Sequence, residues 1–188
     1  TRWDRWSSQS PPRYWRSGCW RLLMIASLAD ASVADWLRWL HVIGATVLLG
    51  TGAGIAFFMV RAHRTRDARL IAHVAGSVVI ADSVFTATAV VLQPLTGVLL
   101  AQATGWPLST GWIALSIVLY GVTGAFWLPV VWIQIRMRNL AREAARTATP
   151  LPAAYDRLFR VWFACGVPAF AAVLTILWLM LKRSGIVL

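Results

Sequence analysis

Acidic side chains are scarce in this chain. Only 7 Asp and Glu accompany 18 Lys and Arg among 188 residues. Charged residues make up 13%, about half the share of an ordinary soluble domain, which excludes a conventional soluble enzyme surface. Cysteine is nearly missing. Cys19 and Cys165 stand in unrelated settings, so neither a disulfide framework nor a cysteine-based metal site follows. A phosphate-binding loop, a His-Glu-x-x-His helix, a nucleophile elbow and a Cys-x-x-Cys pair are all lacking, which removes the common soluble-enzyme chemistries.

What the chain has is apolar length. Its composition is 59% hydrophobic and its mean hydropathy is +0.64, values that exclude disorder for most of it. Four uninterrupted apolar runs, at 36–60, 71–92, 112–135 and 159–181, are each long enough to cross about 30 Å of hydrocarbon. A backbone exposed to lipid must satisfy its own hydrogen bonds, so the runs are helices and the fold class is all-α, a four-transmembrane-helix bundle. The end of the second run is open, because Gln93-Pro94 is followed by a further apolar stretch; a kinked helix reaching toward Leu100 is the alternative.

Arginine gives the orientation. The first connection carries Arg61, Arg64, Arg66 and Arg69, and the third carries Arg136, Arg138, Arg142, Arg146, Arg157 and Arg160, whereas the second carries no charge. Positively charged connections stay in the cytoplasm, so up-down topology with both termini outside is expected, in a bacterial inner membrane. Trp36, Trp39, Trp106, Trp112 and Trp178 then fall at the outer boundary and Trp132 and Trp162 at the inner one, as an aromatic belt requires. The net charge of +11 flanks apolar runs, which points to anionic headgroups as partner and not to nucleic acid.

Residues 1–23 break this pattern, since Arg2, Arg5, Arg13, Arg16 and Arg21 would have to be translocated. They are expected to be a non-native or disordered extension, with Met24 opening the four-helix domain, 24–188. Residues 136–146 should continue the third helix as an arginine- and alanine-rich arm until Thr149-Pro150-Leu151-Pro152 stops it. Gly50 and Gly54 form a G-x-x-x-G pair that reads as a packing face, and Pro129 and Pro168 read as kinks.

Histidine and one carboxylate carry the candidate chemistry. His41 lies near the outer end of the first span, 19 residues before Val60, a rise of about 28 Å. It therefore cannot share a ligand with His73 at the inner end. Up-down topology brings Trp178 and Met180 to the depth of His41, which makes His41 and Met180 a haem axial pair, with an interhelical hydrogen bond as the plainer role for His41. His63 and His73 could hold a divalent cation, but surrounding arginines favour a solvated place in the headgroup layer. Asp82, inside the second span, is an intramembrane carboxylate that either relays a proton, binds a cation or ties helices together, with Thr51, Tyr120 and Thr123 as partners at its depth.

Several stretches resemble a known family. Leu40-His41-Val42-Ile43-Gly44, the run from Gly50 to Phe58, Ala62-His63-Arg64-Thr65, the run from Phe85 to Pro94, that from Gly105 to Trp112, and Gly124-Ala125-Phe126-Trp127-Leu128-Pro129 are similar to the bacterial predicted integral membrane proteins of unknown function, DUF2269. More distantly, a histidine early in the first span followed by glycines and aromatics resembles HemJ-type protoporphyrinogen oxidases and CopD-like membrane proteins. That resemblance implies b-type haem held by His41; the spacing from His41 to Arg61 departs from its pattern. Three functions are thus in view: a haem-b-binding, redox-linked protein; a proton- or solute-conducting protein centred on Asp82; and a structural subunit packed against another membrane protein.

Overall fold

The computed structural model describes residues 32–182, and every regular element among them is helical. Helix α1, Val33–Thr65, starts at a capping box in which Ser32 and Asp35 satisfy each other's backbone N–H. It ends at Arg66 in the left-handed region. Asp67 then caps α2 by accepting from the N–H groups of Arg69 and Leu70. Helix α2, Ala68–Ala103, contains one π-helical segment, Asp82–Thr86. Helix α3, Gly111–Thr147, closes on Ala148 in the left-handed region, and α4, Ala153–Lys182, follows the two prolines. All four helices are long and apolar enough to cross a membrane, and most of each apolar stretch faces outward.

The arginine-bearing end is where the four helices close on one another. Ile55, Met59 and Ala62 of α1, Ile71, Ala75 and Val78 of α2, Val130, Ile133, Met137 and Ala141 of α3, and Tyr155 and Trp162 of α4 form one core. Arg66 ties the end of α1 to the start of α4 through two hydrogen bonds to Asp156, at 2.6 and 3.1 Å. Toward the other end the bundle resolves into two pairs. There α1 packs on the last part of α2, and α3 packs on α4.

Four expectations change. Helix α2 runs through Pro94 to Ala103, the longer of the two extents left open by the sequence. A Cβ added at Gly50, Gly52 or Gly54 would meet nothing within 4 Å, so that glycine run does not close on another helix among the described residues. Trp162 is buried in the core and is not part of a boundary belt. His63 is stacked on Phe159, with ring centroids 3.7 Å apart, instead of standing free among the arginines. The arm expected at 136–146 is helical as far as Thr147. The extension at residues 1–23 and the Met24 start lie outside the described residues.

Candidate functional site

Polar side chains inside the bundle gather in two layers. The first surrounds His41. Thr96 on α2 donates its hydroxyl hydrogen to Leu92 O at 2.7 Å, one turn back along its own helix. Its lone pairs therefore accept from His41 Nδ1, which lies 2.9 Å away. With the Thr96 hydrogen assigned to Leu92 O, the network places the His41 proton on Nδ1 and leaves Nε2 with a lone pair and no hydrogen-bond partner among the described residues. Gln93, one turn before Gly97, donates its Nε2–H to the main-chain carbonyl of His41 at 2.8 Å.

Two glycines make this arrangement sterically accessible. At Gly44 a Cβ would lie 2.5 Å from Gln93 Nε2, and at Gly97 it would lie 3.1 Å from His41 Cε1. The close approach of α1 to α2 is thus built at Gly44 and Gly97, away from the glycine run that looked like a packing face. Pro94 lies between Gln93 and Thr96 and has no N–H, so the carbonyl of Val90 loses its helical donor. Tyr120 of α3 donates its hydroxyl to that carbonyl. One missing backbone hydrogen thereby joins the two helix pairs.

Met180 lies in the same layer as His41 but on the other pair. Trp162 on α4 meets Gln134 on α3, and equal steps along these antiparallel helices bring Met180 level with Ser116 and one turn from Tyr120. What the structure brings to His41 directly is α2, through Gln93, Thr96 and Gly97; Met180 stands across the bundle. His73 sits at the arginine-bearing end of α2, as expected. Among the described residues no group of three or more His, Cys, Asp or Glu is placed to hold a metal ion.

The second layer surrounds Asp82, which is 5% exposed. Trp127 Nε1–H donates to its Oδ1 over a long 3.4 Å. The Gln134 carboxamide, turned so that its own donors and acceptors are met, donates to Oδ2 at 3.1 Å and accepts from Trp162 Nε1–H at 3.2 Å. Asp82 opens the π-helical segment, a local widening frequent at functional positions. A cavity of about 130 Å³ adjoins it, lined by Val79, Asp82, Ser83, Ala87, Trp127, Val131 and Gln134.

These are not the partners the sequence suggested. Tyr120 is engaged with Val90, and Thr123 returns its hydroxyl to Leu119 O on its own helix. The reason is register. Because α2 extends to Ala103, Asp82 sits off the middle of the helix toward the arginine-bearing end and meets α3 one to three turns further on. The 14 residues from Asp82 to Thr96 amount to about 21 Å of rise, so the two layers are separate sites. Gln93, Gln134 and Trp127 were not singled out by sequence, and Tyr120 was assigned to Asp82 and not to Val90; Pro94 inside an apolar run was the one signal that a carbonyl needed an outside donor.

Residues 35–184 match the profile of a family described as a predicted integral membrane protein, DUF2269. No curated protein and no solved structure matches the chain.

Proposed function

The chain belongs to the predicted integral membrane protein family DUF2269, and from that premise we propose that it is a haem-b-binding, redox-linked protein with His41 as the axial ligand. The observation that carries this reading is the state of the His41 ring. A ligating histidine almost always donates its second ring N–H to a fixed acceptor, which sets the tautomer and makes the free nitrogen a better donor. Thr96 is that acceptor here, and its own hydrogen is already committed to Leu92 O.

Haem would supply one-electron chemistry at this depth. The protein's part is to hold the imidazole. Gly97 leaves room for the ring, Gln93 pins the backbone of its residue, and Thr96 fixes its rotation. Met180, in the same layer on the opposite helix pair, is the proposed second ligand. The bundle is proposed to lie in the bacterial inner membrane with its arginine-rich connections in the cytoplasm, against anionic headgroups, since ten arginines flank the first and third connections and none the second.

The test is a visible absorption spectrum of protein purified in mild detergent after expression with a haem precursor. A Soret band in the wild type that His41→Ala removes supports the reading. A colourless wild type sinks it.

A further inference from the structure

The His41 reading leaves the Asp82 layer unexplained, although that layer contains the one carboxylate inside the apolar part of the bundle. The stretches of α1 at 48–59, of α2 at 74–92 and of α3 at 121–135 carry no other titratable side chain. On α4 the neighbouring one is Cys165, which packs against the core; toward the arginine-bearing end the first charged or titratable groups beyond these stretches are Arg61, His73, Arg69, Arg136 and Arg160. Asp82 is salt-bridged to none of them among the described residues. Its neighbours, Trp127, Gln134, Thr86 and, through Gln134, Trp162, are neutral.

A buried carboxylate with only neutral donors has its lone pairs met and its charge unbalanced. In hydrocarbon that charge must be compensated by a bound cation or removed by a proton. The surrounding structure makes room for this. The π-helical segment widens α2 at Asp82, and the adjoining cavity of about 130 Å³ has space for several waters, each needing about 30 Å³. Ser83 and Gln134 add polar atoms to its wall. One turn on, Thr86 turns its buried hydroxyl toward the Asp82 carboxyl group as one more neutral donor.

We propose that Asp82 and its cavity form an intramembrane site for a small monovalent cation, held by the carboxyl group with Gln134 and Trp127 fixing its orientation. The cation is a proton, bound covalently to a carboxyl oxygen, or a sodium-sized ion with its residual waters in the cavity. In either case it occupies the cavity that Ser83, Ala87, Trp127 and Gln134 line beside Asp82. This site stands independently of haem at His41.

Infrared difference spectroscopy on the full chain in detergent separates the two cations. If the cation is a proton, a protonated-carboxyl band appears as pH falls, is absent in Asp82→Asn, and is indifferent to replacing choline chloride by sodium chloride. If it is sodium, the same band is displaced by sodium chloride and restored by choline chloride. Ala87→Leu, which fills the cavity and leaves the carboxyl group in place, should slow or abolish either response, and it keeps the proposal testable should Asp82→Asn fail to fold. Wild type with no protonated-carboxyl band and no sodium response at any pH at which it stays folded, or an Ala87→Leu protein that responds like wild type, would overturn the proposal.

Discussion

Gly44→Ala is the substitution on which the geometry of the His41 layer makes its least ambiguous statement. On propensity alone the change should help, because alanine in a helix interior is favoured over glycine by about 0.8–1.0 kcal/mol. The structure opposes this. The new methyl group would stand 2.5 Å from Gln93 Nε2, so the carboxamide must swing away and give up its 2.8 Å hydrogen bond to His41 O. The clash itself is relieved cheaply, because the atom it meets ends a flexible side chain. The lasting cost is a displaced polar group: Gln93 is 8% exposed, and an unsatisfied buried amide costs about 1–3 kcal/mol. The net expectation is a loss of between about 0 and about 2 kcal/mol, the difference of these two ranges, against a gain for a glycine that meets nothing.

Gly50→Ala provides the matching control. It occupies the same helix two turns on, where an added Cβ meets nothing within 4 Å, so only the propensity gain applies and stability should hold or rise. The assay is reversible unfolding in mixed micelles of mild detergent and dodecyl sulfate, with both variants measured against wild type. Gln93→Ala should remove the penalty of Gly44→Ala in a double-mutant cycle, since the group that is displaced is then gone. A Gly44→Ala protein as stable as Gly50→Ala would refute the account of how α1 and α2 meet.

Three further outcomes follow from the same geometry. Thr96→Val deletes the acceptor for His41 Nδ1–H at nearly constant volume, and should weaken haem retention by about 10–100-fold, the usual cost of losing a ligand's orienting partner, measured by haem transfer to an acceptor protein. Tyr120→Phe leaves the Val90 carbonyl without the donor that Pro94 denies it and should cost about 0.6 kcal/mol, the average for hydrogen bonds between membrane helices, in the same micelle titration. Reporter fusions at Arg66 and Arg146 should give cytoplasmic signals and one at Thr104 an outside signal; a cytoplasmic signal at Thr104 would contradict the proposed topology.

The spans were readable because hydropathy is a one-dimensional property: the runs at 36–60, 71–92, 112–135 and 159–181 all lie within helices of the structure. Asp82 and His41 were also readable, since a polar group in an apolar run announces itself. Their partners were not, because a partner across a helix interface depends on register and rotation. A shift of one to three turns along α3 from Thr123 puts Trp127 and Gln134 beside Asp82 in place of Tyr120 and Thr123. The glycines show the same limit. Gly50 and Gly54 have the spacing of a packing face but point to open space, whereas the isolated Gly44 and Gly97 lie where Gln93 and His41 need room. Nothing in the local sequence marks the π-helical segment at Asp82–Thr86, which sits within a run of ordinary helix formers and β-branched residues.

His41, oriented by Thr96 with Nε2 free, is proposed to bind haem iron, and the visible spectrum of the purified protein with its His41→Ala, Met180→Ala and His73→Ala variants decides it. A Soret band is expected in the wild type. It should vanish in His41→Ala, change shape or move to a lower potential in Met180→Ala because thioether ligation raises the potential, and persist unchanged in His73→Ala, whose residue lies about 23 residues along α2 from the His41 layer and so some 35 Å away. A wild-type protein without a Soret band, or a band that survives in His41→Ala, would contradict the claim.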